Sequence, residues 1–76
     1  MGSIFDRNFE YSIQLDHKLY SQVEKMCEAQ LGPRLYYLQR EIGGRAWRMK
    51  RVIPNSGQFT LESNNSEFMV WLRLML

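Results

Sequence analysis

The sequence predicts a small α+β domain in which an antiparallel sheet carries two helices on one face. Three observations lead to this prediction: an alternating apolar pattern near the N-terminus, a helical apolar stripe directly after it, and further alternating segments that end in a strongly apolar stretch. The predicted order along the chain is β-α-β-β-β-α. Packing both helices on one sheet face is the simplest way to bury these apolar surfaces together.

The first element is a strand near residue 10. Every second residue in this stretch is apolar, namely Phe9, Tyr11, Ile13 and Leu15, and the residues between them are polar. A period of two places the apolar side chains on one face of a strand and the polar ones on the other. The pattern therefore predicts a strand with one buried face and one face in water.

The second element is a helix that ends near residue 31. Its apolar residues recur at helical spacing and form one stripe, Leu19, Val23, Met26, Cys27 and Leu31. Asp16 stands at the N-cap position, where a carboxylate accepts hydrogen bonds from the free amides of the first turn. Gly32 and Pro33 end the helix, because glycine tolerates a left-handed cap and proline cannot continue the helix.

A β-hairpin is predicted around Gly43 and Gly44. Aromatic and β-branched segments flank this pair, and two-residue glycine loops are typical of tight hairpin turns. The corresponding register pairs Ile42 with Arg45. One face, interpreted as core, then carries Tyr36, Leu38, Ile42, Trp47 and Met49. The residues on the opposite face include Tyr37, Arg48 and Lys50.

A further strand follows a predicted turn at residues 54–57. From Phe59 onward, apolar and polar residues alternate. A plain four-residue loop places Phe59 opposite Val52, whereas a one-residue bulge places it beside Trp47. The sequence alone is compatible with both registers.

The chain closes on an almost wholly apolar segment, residues 66–76. Only Ser66, Glu67 and Arg73 are polar there. Asn64 followed three residues later by Glu67 is similar to a capping box and favours a helix of about three turns. As a strand, the segment would carry five apolar residues on one face. One sheet face cannot cover a helix that is apolar nearly all round, so this segment predicts an interface.

Length and composition exclude most chemistry. A chain of 76 residues predicts one domain, residues 1–76. One cysteine allows no internal disulfide and suits a reducing cytoplasm, and one histidine provides no metal-ligand set. His17 is interpreted as a surface residue and Cys27 as a core residue. We therefore expect no enzymatic activity, no metal and no cofactor, and the apolar end segment is too short to span a bilayer.

The first candidate for function is the apolar end segment. Its predicted contact residues are Phe68, Trp71, Met75 and Leu76. We expect these side chains to contact a protein, either a second copy in a homodimer or another partner. The segment therefore predicts a non-enzymatic protein-interaction module.

The second candidate is a basic and aromatic surface on the predicted hairpin. Its residues are Tyr37, Arg48 and Lys50. An exposed ring beside two cations suits single-stranded nucleic acid, because bases stack on the ring and the cations neutralise phosphates. Nucleic-acid binding is therefore the alternative function. The net charge of only +2 favours the protein-interaction module, since nucleic-acid binders concentrate more positive charge.

Two short motifs carry a resemblance to a known group of proteins. They are CEAQLGPR, from Cys27 to Arg34, and FMVWLR, from Phe68 to Arg73. With the element order above, the chain resembles small uncharacterised accessory proteins of large contractile-tailed bacteriophages of marine bacteria. The resemblance implies an accessory protein that acts on a host protein in the bacterial cytoplasm, and it assigns no catalytic residue. The chain departs from the group at Leu74, where an aromatic residue often follows the arginine.

Overall fold

The computed structural model describes residues 8–51 and 57–76. Within them, five strands form one antiparallel sheet: β1 (Tyr11–Asp16), β2 (Tyr36–Leu38), β3 (Glu41–Gly43), β4 (Trp47–Arg51) and β5 (Gln58–Ser63). Their spatial order is β1-β5-β4-β3-β2. The same residues contain two α-helices, α1 (Tyr20–Leu31) and α2 (Ser66–Met75), and a 3-10 turn at His17–Leu19 that leads into α1. The predicted α+β class is confirmed.

Both helices pack on the same face of the sheet. The sheet contributes Ile13, Ile42, Trp47, Met49, Phe59 and Leu61 to one apolar cluster. The helices add Val23 and Cys27 from α1, and Phe68, Met69 and Leu72 from α2. The sheet residues share a face because they lie opposite one another in the ladder, as Ile13 does with Leu61. The prediction that two helices cover one sheet face is confirmed.

The first strand follows the predicted pattern in part. Phe9, predicted on its buried face, lies before β1 with its ring 5.1 Å from the Arg48 guanidinium carbon, and Tyr11 is 40% exposed. In β1, Ile13 is buried, whereas Ser12 and Gln14 on either side of it are exposed. Asp16 accepts a hydrogen bond of 2.8 Å at Oδ1 from the backbone N–H of Lys18. The predicted cap is therefore present, although it caps the 3-10 turn that precedes α1.

Helix α1 buries the predicted stripe. Val23 and Cys27 have no exposed surface. The partly buried members of the stripe are Leu19, Met26 and Leu31. Gly32 ends the helix at a φ of 112°, which glycine adopts without the steric cost of a Cβ atom. The carbonyl oxygen of Gly32 accepts a hydrogen bond of 3.0 Å from Nε1 of Trp47, which ties the end of α1 to β4.

The predicted two-residue turn at Gly43 and Gly44 is wrong. A hairpin does form there, but residues 44–46 connect β3 to β4, and the pairing register differs from the predicted one. The chain also turns at residues 39–40, so the stretch expected to form one strand forms β2 and β3. Strand β3 then pairs on its other side with β4, and Ile42 lies opposite Met49. Neither glycine has the positive φ that a tight two-residue hairpin turn requires. The sheet consequently has one strand more than predicted.

The additional turn reverses the faces predicted for β2. Tyr37 pairs with Ile42 and therefore lies on the helix-covered face of the sheet. Tyr36 and Leu38 lie on the other face, although the sequence predicted them as core. Trp47 and Met49 are buried on the helix-covered face, as expected.

The register of β4 and β5 places Phe59 in the core. Arg51 lies opposite Phe59, and Met49 lies opposite Leu61. Phe59 thus shares the face of Met49, as the bulged alternative predicted. Val52 and the predicted turn at residues 54–57, apart from Gly57, lie outside the described residues.

The closing segment is a helix, and its N-cap is Asn65 rather than Asn64. Oδ1 of Asn65 accepts a hydrogen bond of 2.9 Å from the backbone N–H of Phe68. Oδ1 of Asn64 instead accepts one of 2.7 Å from the N–H of Glu10, which joins the start of α2 to the start of β1. Adjacent asparagines carry identical side chains, so the cap depends on where the preceding strand ends, here at Ser63.

We expect Gly44→Ala to destabilise the fold. The added Cβ would lie 2.6 Å from the carbonyl oxygen of Pro33 and 2.6 Å from Nε1 of Trp47. A backbone atom and a fully buried ring cannot move aside freely, so we expect the free energy of unfolding to fall by about 3 kcal/mol, measured by urea denaturation. In the control Gly57→Ala, no atom lies within 4 Å of the new Cβ. Its positive φ costs about 1 kcal/mol, and a larger loss there would contradict the packing argument.

Candidate protein-interaction surface

Helix α2 has a buried apolar face and an apolar face in water. Its buried side chains are Phe68, Met69 and Leu72. On the other side, Val70 is 60% exposed and Leu74 is 80% exposed. Residues four apart are neighbours on a helix, so Val70 adjoins Leu74. We call the exposed and half-buried apolar group the outer α2 face; it consists of Val70, Trp71, Leu74, Met75 and Leu76.

The structure places three of the four predicted contact residues on the outer α2 face. Met75 and Leu76 are exposed, and Trp71 is half-buried. Phe68 is only 5% exposed and belongs to the core. It is therefore unavailable to a partner, because the helix turns Phe68 and Leu72, four residues apart, toward the sheet. The centroid of the Phe68 ring lies 5.7 Å from that of the Trp71 ring, so the two rings pack against each other.

Val70 and Leu74 complete the outer α2 face, although the sequence did not single them out as contact residues. The sequence did predict that part of this helix would lie uncovered, since a single sheet cannot cover an apolar helix on all sides. Which apolar residues face water depends on the helix rotation, and that rotation follows from the cap at Asn65 and the packing of Phe68.

Two of the grooves beside α2 border its exposed side. One of about 400 Å³ lies between α2 and β1, and its apolar lining residues are Tyr11, Ile13, Met69 and Val70. The other, of about 370 Å³, lies along the outer side of the helix and is lined by Ser66, Glu67, Val70, Trp71 and Leu74. Val70 borders both grooves. The solvent-facing side of α2 is therefore an indented apolar surface.

The three residues of the predicted nucleic-acid surface do not come together. Arg48 and Lys50 lie on the sheet face away from the helices, because they flank Met49 in β4. Tyr37 lies on the helix-covered face, since it pairs with Ile42, which in turn pairs with Met49. The common face expected for these residues depended on the hairpin register that the structure replaces.

Arg48 is also occupied by contacts within the protein. Its Nε donates a hydrogen bond of 2.6 Å to Oε1 of Glu62, and the residue is only 6% exposed. The ring of Phe9 lies 5.1 Å from the Arg48 guanidinium carbon. Lys50 approaches the same carboxylate, with Nζ 3.9 Å from Oε1 of Glu62. The charge of Arg48 is thus neutralised and shielded from a phosphate.

Tyr37 lies in a different basic and aromatic group. It is 67% exposed, and the guanidinium carbon of Arg34 lies 5.3 Å from its ring centroid. Beside it, the guanidinium carbon of Arg51 lies 5.2 Å from the ring of Tyr20. Burial raises the pKa of the Tyr20 hydroxyl, and Arg51 opposes this effect in part. We call these four residues the arginine–tyrosine group; one of its cations, Arg34, is paired with Glu24 at 3.3 Å.

The residues most suited to catalysis have ordinary surroundings. His17 is exposed in the 3-10 turn, with its ring 5.8 Å from that of Tyr20. Cys27 is fully buried. Burial raises the pKa of the Cys27 thiol to about 12, and the nearby carboxylates of Glu24 and Glu28 act in the same direction. The thiol therefore lacks the thiolate character that a nucleophile needs.

Among residues 8–51 and 57–76, no group of three or more His, Cys, Asp or Glu side chains is arranged to hold a metal ion. None of the helices found there is long and apolar enough to cross a membrane. Comparison of the chain with protein-family models, curated proteins and solved structures finds no match. The surfaces described above are therefore the basis for a functional proposal.

We expect Cys27 to react with thiol reagents only when the protein unfolds. A pKa of about 12 keeps the thiol protonated at neutral and mildly alkaline pH, and burial denies access to the reagent. Labelling with a maleimide should be slow in buffer at neutral and mildly alkaline pH, and fast in urea. Fast labelling of the native protein would show that α1 opens readily from the sheet.

We expect Glu62→Ala to destabilise the protein by about 2 kcal/mol, since it leaves the buried guanidinium of Arg48 without its partner. Urea denaturation measures the change. The matched control is Glu28→Ala on the exposed side of α1, which should cost less than about 0.5 kcal/mol. Equal effects of the two substitutions would show that the Arg48–Glu62 pair contributes nothing to stability.

Proposed function

We propose that this protein is a non-enzymatic protein-interaction module that binds a partner through the outer α2 face. The observation that carries the proposal is the exposure of Val70 and Leu74 beside a half-buried Trp71, on a helix whose other side already forms the core. Contiguous exposed apolar surface of this kind marks interaction sites in soluble proteins. Tryptophan is also among the residues most enriched where binding energy concentrates.

The spacing of the exposed residues favours a particular mode of binding. Val70 and Leu74 are four residues apart, as are Trp71 and Met75, so they form one stripe along the helix. Such a stripe fits an apolar groove on a partner, in the manner of a helix-in-groove complex. The exposed fractions of Val70, Leu74 and Met75 are 60%, 80% and 58%, and covering apolar surface stabilises a complex by about 25 cal/mol per Å². Much of that would be offset by the loss of rotational and translational freedom on association.

The partner class follows from the resemblance seen in the sequence. The motifs from Cys27 to Arg34 and from Phe68 to Arg73 are similar to those of phage accessory proteins. We therefore propose a protein of the bacterial host cytoplasm as the partner and modulation of that protein as the role. Val70 and Trp71 of the second motif belong to the outer α2 face.

Nucleic-acid binding is the second candidate function, and it would use other residues than those predicted. The arginine–tyrosine group supports it, because Tyr37 is exposed beside Arg34. Against it stand the ion pair of Arg34 with Glu24 and the small net charge of +2. Rising salt separates the two candidates, since it weakens phosphate contacts steeply and leaves an apolar interface intact or tighter.

We expect Leu74→Glu to weaken capture of a partner from a nuclease-treated bacterial extract by at least about tenfold, because a carboxylate replaces the most exposed side chain of the outer α2 face. Bound protein is quantified by mass spectrometry. The matched control is Leu35→Glu, the same change at an exposed leucine outside α2, which should bind as wild type does. Equal binding by the wild type and Leu74→Glu would contradict the proposed function. Loss of all binding on nuclease treatment would favour nucleic acid.

A further inference from the structure

Strand β1 forms one edge of the sheet. In the strand order β1-β5-β4-β3-β2, the edges are β1 and β2. Strand β2 has only three residues, whereas β1 has six. Short edge strands resist pairing with another chain, and long regular ones favour it. The two edges therefore differ, and β1 is the edge suited to extension.

The backbone groups on the free side of β1 can be assigned from one hydrogen bond. The N–H of His17, directly after β1, donates to the carbonyl oxygen of Gly57 at 2.8 Å and so points toward β5. The N–H and C=O groups of successive residues in a strand point alternately to its two sides. Those of Ser12, Gln14 and Asp16 therefore point away from β5. Among the described residues no strand lies on that side.

Strand β1 carries none of the features that usually protect an edge. Its sequence is YSIQLD, which contains no proline, glycine or lysine, and its register against β5 runs without a bulge from Tyr11 to Asp16. The groove beside α2 opens along the same edge and is lined by Tyr11 from the strand and by Val70 from the helix. A chain that binds at this edge can therefore pair with the backbone of β1 and contact the apolar groove at the same time.

We propose that two copies of the chain associate by antiparallel pairing of their β1 strands about a two-fold axis at Gln14. The two five-stranded sheets then form one continuous sheet. This proposal does not rest on the proposed function, because β1 carries it rather than the outer α2 face.

The position of the axis follows from the pairing rules. An axis through a residue pairs side chains of the same sheet face, so both cores lie on one side of the combined sheet. An axis at Gln14 places Ile13 opposite Leu15 of the second copy and Ser12 opposite Asp16 of the second copy. The outward backbone groups of Ser12, Gln14 and Asp16 then meet. An axis at Ile13 would place Glu10 opposite Asp16 of the second copy, which like charge disfavours.

Pairing of two β1 edges provides a better dimer interface than contact between two outer α2 faces alone. A standard interface uses about 20–30 residues on each partner, whereas the outer α2 face consists of Val70, Trp71, Leu74, Met75 and Leu76. Pairing at β1 brings the two α2 helices alongside each other and covers the groove that Tyr11 and Val70 line. The edge, the groove and Val70 thus contribute to one interface, and Trp71 and Leu74 remain open to another partner.

The experiment measures the mass of the full-length protein by sedimentation over a wide range of concentrations. We expect a monomer of 9.1 kDa in equilibrium with a species of twice that mass. Gln14→Lys places two like charges opposite each other at the axis and should raise the dimer dissociation constant at least about tenfold. The matched control is Gln58→Lys, which makes the same change on the same sheet face, in β5 and away from the edge. It should dimerise as the wild type does.

A second pair of variants tests the register without weakening the interface. Gln14→Cys should form an intermolecular disulfide on oxidation, because the axis brings the two residues within reach of each other. Gln58→Cys should remain monomeric on a non-reducing gel. The native Cys27 is buried and does not take part.

A wild-type protein that is monomeric at all concentrations, or a Gln14→Lys variant that dimerises as tightly as the wild type, would overturn the proposal. A dimer broken by Leu74→Glu and not by Gln14→Lys would show that the copies meet through the outer α2 face instead. Loss of partner capture in Leu74→Glu with the dimer intact would separate this interface from the partner-binding surface.

Discussion

The fold depends on the burial of Trp47. This side chain has no exposed surface, so its indole N–H requires a partner inside the protein, and the carbonyl oxygen of Gly32 accepts that hydrogen bond. The bond fixes the end of α1 against β4. Gly44 makes room for the ring, because a Cβ there would lie 2.6 Å from Nε1. The position of Trp47 thus sets the spacing between the helix and the sheet.

The same end of the core is fixed by polar contacts around Ser63. Its hydroxyl donates to the carbonyl oxygen of Ala46 at 2.8 Å and accepts from the N–H of Asn65 at 3.1 Å. Ser63 lies opposite Trp47 in the ladder and is fully buried. The same few residues therefore end β5, begin α2 and hold both beside Trp47. Because α2 starts there, its rotation about its own axis is set, and with it the residues that face water.

A small domain with two helices on one sheet face has limited means of covering an apolar helix. Helix α2 directs Phe68 and Leu72 into the core, and Val70 and Leu74 remain outside. On the sheet face opposite the helices, Arg48 and Glu62 neutralise each other. Apolar side chains in water lie in two places: on the outer α2 face next to the edge strand β1, and at Leu35, Tyr37 and Leu38 in and before β2. The first of these is the physical basis of both proposed interfaces.

Several elements were predictable because their signals are local. The alternation in β1, the stripe of α1 and its end at Gly32, and the surplus of apolar residues in α2 each lie within one segment, and the structure confirms each of them. The α+β class followed from their order. The presence of an uncovered apolar side on α2 followed from counting the available sheet, although the residues that form it did not.

The sequence by itself thus determined the strand β1, the helix α1 and the strand β5, and which face of each is buried, because short-range periodicity sets both. Only the tertiary structure decided the turn at residues 39–40 and the connection at residues 44–46, where Gly44 also packs closely against Pro33 and Trp47. It also decided that Tyr37 lies apart from Arg48, and that Glu62 neutralises Arg48. These outcomes depend on strand register and on contacts between distant residues, which a local pattern does not contain.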